Sequence, residues 1–297
     1  MNRVAVVLMA YGSPERIEDV PAYYADIRGG RPIAPEHLDD LVARYRALGV
    51  GDGDEPSPLN VVTEETRSAL EAAIGFPVRT GMRHWQPRIA AAVDDALASG
   101  ADLLVGLVLA PHYSMMSIGK YRALFDDAVS SRVESRFVER WGAEPAFLEL
   151  LAARVRAADA HVVFTAHSLP VRILTTGDPY RDELLETARL VAERAGLDGD
   201  WSFSFQSESP TGEPWLGPDI LDHLEDLRAR GIDAVLVCPI GFVSDHLEIR
   251  WDIDHEARAK AAELGMRLER IPMQNAEPAF IDVLEGIVQR QLSAVPA

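Results

Sequence analysis

His161-Val-Val-Phe-Thr-Ala-His-Ser-Leu-Pro170 reads as a strand that runs straight into a polar corner. Residues 161–165 lack the polar alternation of a half-exposed strand, so a strand buried on both faces is predicted there. Similar runs recur at 4–9 (VAVVLM), 78–82, 103–110 (LLVGLVLA), 201–206 and 234–240 (AVLVCPI). Helical patterns separate them. One covers 63–74, with Thr63 as its N-cap and Glu64 and Glu65 in its first turn. Others cover 87–99, 117–129, 181–195, 218–230, 246–264 and 278–292, and Gly100, Gly196 and Gly231 close three of them. Strands alternating with helices predict an α/β fold whose parallel sheets are covered by helices. The series restarts near residue 150, and 297 residues suit two domains of about 150 each. The expected domains are 1–145 and 146–276, with a cleft between them. A terminal helix within 277–297 packs back on the first.

Composition narrows the function classes. Apolar residues make up 47% and charged residues 26%, an ordinary globular balance. A net charge of −18 argues against general binding to nucleic acid or an anionic bilayer. The apolar runs at 4–10 and 103–110 are too short to span a membrane, and the first lacks the flanks of a secretory signal. A cytoplasmic protein without stable membrane insertion is expected, and a monomer, since no interface stripe is evident. Cys238 is the single cysteine, so an intramolecular disulfide, a Cys-ligated zinc site and a four-cysteine iron–sulfur cluster are all ruled out. Of 29 basic residues only Lys120 and Lys260 are lysine. Compositional bias explains this, or some arginines serve as forked carboxylate clamps.

Ligands of open α/β sheets bind beyond the carboxyl ends of the strands. That rule selects Tyr11, His112, His167 and the pair Asp245-His246. An imidazole at the end of 161–165 either accepts protons and ligates divalent metals, or is a core histidine satisfied by backbone. Glu248, Asp252 and Glu256 recur at every fourth position. On an α-helix they share one face, about 6 Å apart along the axis. Such a row repels itself. It serves either to pass a hydrated cation inward to Glu248, or as a solvated stripe balanced by Arg250, Arg258 and Lys260.

Six segments then carry a resemblance: Met9-Ala-Tyr-Gly-Ser-Pro14, Leu109-Ala-Pro-His112, Thr165-Ala-His-Ser-Leu-Pro170, Gln206-Ser-Glu208, Trp215-Leu-Gly-Pro-Asp219 and Pro239-Ile-Gly-Phe-Val-Ser-Asp-His-Leu-Glu248. Together, in order and across essentially the whole chain, they resemble the ferrochelatases, and the bacterial coproporphyrin type best. The resemblance implies two similar Rossmann-like domains around a porphyrin cleft. It implies insertion of Fe2+, as substrate, into coproporphyrin III to give coproheme in heme biosynthesis, with release of two protons. His167 and Glu248 would be catalytic and face each other over the ring centre. Asp252 and Glu256 would belong to the metal route, where Mg2+ or another divalent ion would also find ligands. Tyr11 would bind substrate and ligate iron from the opposite face, while Arg28, Arg44, Ser57 and Tyr121 would hold propionates. Ser13 stands where threonine is common, with the hydroxyl kept. Competing expectations are a protoporphyrin IX ferrochelatase, a chelatase for another pair such as sirohydrochlorin with cobalt, and a non-catalytic tetrapyrrole carrier.

Overall fold

The computed structural model describes residues 3–47, 49, 57–209 and 212–293. Two four-stranded, wholly parallel sheets organise them. The first holds β1 (Val4–Ala10), β2 (Val78–Met82), β3 (Leu103–Val108) and β4 (Glu134–Val138), in the order β2-β1-β3-β4. The second holds β5 (His161–His167), β6 (Trp201–Gln206), β7 (Ala234–Pro239) and β8 (Arg267–Arg270), in the equivalent order β6-β5-β7-β8. In each sheet the first strand sends its crossover to one side and the next to the other. The chain therefore switches direction between β1 and β3, and again between β5 and β7. At such switch points the following loops part and leave a crevice.

The central strands β1, β3, β5 and β7 are buried and apolar, as predicted. The edge strands β4 (ESRFV) and β8 (RLER) carry charge and escape an apolar-run search, because an edge is covered on fewer sides. The sequence reading also passed over α1 (Val20–Ile27), α2 (Pro35–Ala47) and, further along the chain, α6 (Pro145–Val155). Helix α3 spans Pro58–Ile74 rather than beginning at 63. Pro58 occupies the first turn, where its missing N–H costs nothing, and Ser57 is the cap residue. Thr63 is not a cap; it is buried mid-helix and returns its hydroxyl to the Leu59 carbonyl at 2.7 Å. The remaining helices are α4 (Ile89–Ala98), α5 (Ile118–Val129), α7 (Tyr180–Ala195), α8 (Ile220–Ala229), α9 (Arg258–Glu263) and α10 (Pro278–Ser293).

One continuous apolar core joins the two sheets. It includes Val6, Leu8, Val105 and Leu107 from the first sheet and Val162, Phe164 and Cys238 from the second, with helices α3, α6, α7 and α10 between. Helix α10 packs on α3, α6, β3 and β4. Its last turn is pinned where Arg136 Nη1 donates to the carbonyls of Gln291 (2.7 Å) and Leu292 (3.0 Å). Cys238 is fully buried in β7, and burial pushes its thiol well above the ordinary range. Among the described residues no helix is long and apolar enough to cross a membrane.

Candidate active site

His167 is the last residue of β5, so the strand aims its imidazole into the crevice at the second switch point. Tyr180 donates its hydroxyl to the His167 carbonyl at 3.0 Å and fixes that end of the strand. The ring lies 6.4 Å from Trp215 and 6.5 Å from Phe242, centroid to centroid. Beside it the chain leaving β7 must come very close. A Cβ on Gly241 would stand 2.6 Å from the Ala166 Cβ, so only glycine lets the loop pass. That approach delivers Glu248 to His167, with Nε2 and Oε1 3.5 Å apart. His246 flanks the other carboxylate oxygen, its Nε2 3.5 Å from Oε2.

The pair shifts together. Burial alone would depress the His167 imidazole, but the Glu248 carboxylate outweighs it. With the Ser168 carbonyl accepting from Nδ1, the imidazole is raised to about 9. Burial alone would raise Glu248; His167 and His246 outweigh it and hold the carboxyl well below the usual range. At neutral pH the site therefore holds an imidazolium against a carboxylate.

The segment after Glu248 corrects the sequence reading. Ile249–Ala257 is a π-helix, continuing into α9. Its i→i+5 bonding widens the turn, so residues four apart no longer stack in line as they would on an α-helix. Asp252 points inward, only 9% exposed, and accepts the Ser207 hydroxyl. Ser207 holds a left-handed φ of 65°, which non-glycine residues keep only when their surroundings enforce it. Burial, with Glu248 adding to it, pushes Asp252 up to about 7. Glu256 accepts from Trp251 Nε1 at 2.7 Å and lies 3.8 Å from the Arg44 guanidinium. The expected balancing of this row by Arg250, Arg258 and Lys260 is not found among the described residues. Arg258 meets Asp254 (3.7 Å), Lys260 meets Glu225, and the row's own partners are Ser207 for Asp252 and Arg44 for Glu256.

Tyr11 directly follows β1 and is 39% exposed. Burial of its hydroxyl, and then the Glu248 charge, raise its phenol, while Arg83 opposes them. Tyr11 and Glu248 thus sense one another. The remaining sequence candidates scatter. Arg28 lies 6.0 Å from the Tyr24 ring, and its Nε is buried with no partner. Arg44 is committed to Asp40 (2.9 Å) and Glu256 and stacks 5.2 Å over Trp251. Ser57 is buried and donates to Ser13 Oγ at 2.7 Å. Tyr121 is buried beneath Arg83, 5.5 Å from guanidinium to ring. His112, on the strand-end list, is sealed in the interior. It is buried, bonds Thr187 Oγ1 at 2.9 Å, and burial lowers its pKa to about 3.

The sequence reading missed Arg83 and His84, which follow β2. Applied to that strand, the carboxyl-end rule would have found them. Arg83 lies 5.9 Å from the Tyr11 ring and bonds the Met116 carbonyl (3.3 Å). His84 packs 4.6 Å from the same ring and donates Nδ1–H to Asp26 at 2.8 Å. Arg88 also grips Asp26 and holds its carboxyl below the usual range.

Among the described residues, no three of His, Cys, Asp and Glu form a preassembled metal cage. The donor set is nitrogen and oxygen of intermediate hardness, which suits a divalent first-row ion arriving as reactant.

The family model described as Ferrochelatase matches residues 3–292. A ferrochelatase of Herpetosiphon aurantiacus is 45% identical, over 97% of this chain and 99% of that relative. A coproporphyrin III ferrochelatase of Halalkalibacterium halodurans is 38% identical, over 98% of each. Among solved structures, SirB from Bacillus subtilis with Fe3+ shares the fold with a TM-score of 0.59 at 11% identity, covering 97% of this chain and 95% of that one. A match spanning both sheets, with relatives this similar over their full length, establishes that the chain belongs to the ferrochelatase family, lyases of heme biosynthesis that take Fe2+ as substrate.

Proposed function

We propose that this ferrochelatase acts on coproporphyrin III, with His167 and Glu248 performing the insertion over the ring centre. The observation that carries the catalytic assignment is the 3.5 Å approach of His167 to Glu248 at neighbouring strand ends, in an opening shared with Tyr11. Support for coproporphyrin comes from the relative of that name at 38% identity.

Insertion requires Fe2+ to lose water and two pyrrole N–H protons to leave. The Glu248 carboxylate, ionised because His167 is charged, is the group ready to attract the cation. Once iron approaches, its positive charge cancels the field that keeps His167 protonated. The imidazole then gives up its proton and becomes a ligand or a base. The carboxylate and imidazole accept the two pyrrole protons in turn and release them to water, so ring, iron and protons balance. Tyr11 would ligate the iron after insertion, as phenolate does in other heme proteins. Asp252 and Glu256 form the inward route. A hydrated Fe2+, or an Mg2+ resting there, would have to displace Arg44 from Glu256 and the Ser207 hydroxyl from Asp252.

Relatives such as that of Herpetosiphon aurantiacus carry only the name Ferrochelatase, so protoporphyrin IX is the second reading. Purified enzyme with Fe2+ should turn over coproporphyrin III with a kcat/KM at least tenfold above that for protoporphyrin IX, compared in one detergent. Equal or reversed values remove the coproporphyrin assignment.

A further inference from the structure

We propose that Asp26 is a positioning residue for Tyr11, acting through the His84 ring, an inference that rests on the reading of Tyr11 as a ligand of the inserted iron. Asp26 lies near the end of α1, and His84 sits in the loop after β2. Both terminal nitrogens of Arg88 grip the Asp26 carboxylate, Nη2 donating to Oδ1 at 2.8 Å and Nη1 to Oδ2 at 3.1 Å. The same Oδ2 accepts His84 Nδ1–H at 2.8 Å. Arg88 is itself fastened. It immediately precedes α4, and its Nη1 also donates to the Arg83 carbonyl at 2.8 Å. A carboxylate held in a fork presents one fixed acceptor to the imidazole.

That acceptor fixes the ring on which Tyr11 leans. An imidazole has broad, roughly two-fold freedom about χ2, and a partner at Nδ1 selects one orientation. The His84 and Tyr11 rings lie 4.6 Å apart, centroid to centroid, tilted by 53°. The main chain here is tied independently of Asp26. The His84 N–H donates to the Tyr11 carbonyl and the Arg83 N–H to the Ala10 carbonyl, both at 2.9 Å. The Tyr23 hydroxyl donates to the Gly12 carbonyl at 2.9 Å. The Tyr11 side chain has no such tie. It is partly exposed, its hydroxyl has no hydrogen bond among the described residues, and its ring is flanked by His84 and by Arg83 at 5.9 Å. The aim of the phenol therefore depends on the wall beside it. Releasing His84 from Asp26 would redirect the phenol while leaving the strand end intact.

The test binds ferric coproporphyrin III, the oxidised form of the proposed product, to wild type, Asp26→Ala, Arg88→Gln, Tyr11→Phe and the double variant Asp26→Ala/Tyr11→Phe. Absorption and resonance Raman spectra report the iron–phenolate bond, and titration gives Kd. Tyr11→Phe should abolish the phenolate signature. Asp26→Ala should weaken or shift it and raise Kd by about threefold or more, the scale of coupling between residues in one network. Arg88→Gln frees the carboxylate from its fork and should move the signature in the same direction; it decides the matter if the alanine variant fails to fold. In the Tyr11→Phe background, Asp26→Ala should change Kd by less than about twofold, because the group it acts through is gone. An unaltered signature in Asp26→Ala and Arg88→Gln overturns the proposal. So does an equal loss of affinity from Asp26→Ala with and without Tyr11, the mark of a residue that only fastens α1 to the start of α4. A phenolate signature absent from wild type, or kept in Tyr11→Phe, removes Tyr11 as the ligand, and the positioning role with it.

Discussion

His167 and Glu248 hold opposite charges before any substrate arrives, and each is shifted by the other. The folded-state pKa of His167, about 9, lies above its unfolded value, so its stabilising contribution is complete below about 6.5 and fades as pH rises through 9. Glu248 is depressed, so its contribution is present above about 4.5 and is lost only in acid. Replacing His167 by Ala should cost at least a hundredfold in turnover of Fe2+ and porphyrin. A loss within about tenfold, roughly 1.4 kcal/mol, would remove its central role. Asp252 behaves in the opposite sense to Glu248. Its folded pKa, about 7, exceeds the unfolded value, so the native state loses stability as pH rises from about 4 to 7. Asp252→Asn should therefore raise Tm at pH 8 by roughly 4 °C, for about 1–2 kcal/mol, and much less at pH 5. Thermal melts at the two pH values decide it; an equal gain at both would point to a cause other than this carboxyl.

At the scale of elements, legibility followed burial. Strands covered on both faces, such as residues 161–165, announce themselves by unbroken apolar character, and a residue just beyond such a strand is found by rule. Tyr11 and His167 were picked out in that way, as was the buried His112, whereas Glu248 came from the acidic series at every fourth position. Strands β4 and β8, with charge on their open sides, look like loops in one dimension. The π-helix was illegible for another reason. Its pattern of acids is the same string an α-helix would carry, and only the i→i+5 bonding shows that Asp252 turns inward to Ser207 while Glu256 meets Trp251. Gly241 is the element-level test. Alanine there would drive a Cβ into Ala166, so Gly241→Ala should destabilise by about 1–3 kcal/mol in chemical denaturation. It should also part His167 from Glu248, lowering turnover more than tenfold. Wild-type stability and rate would mean that the loop has room the geometry denies it.

For the molecule as a whole, the shared core makes two predictions. Because one apolar cluster spans both sheets through α3, α6, α7 and α10, the halves should unfold together, with coincident far-UV and tryptophan-fluorescence transitions. Phe280, fully buried where α10 enters that cluster, should cost about 3–5 kcal/mol when replaced by Ala, and both probes should shift equally. Separated transitions would show that the sheets are energetically independent.

Cys238 gives this molecule an internal clock. With a single sulfhydryl sealed inside β7, a maleimide or a disulfide reagent has nothing to modify until the second sheet comes apart. The rate of alkylation under native conditions therefore counts opening events directly, without introduced labels. If a tetrapyrrole bound in the crevice clamps the two sheets, that rate should fall in step with its occupancy.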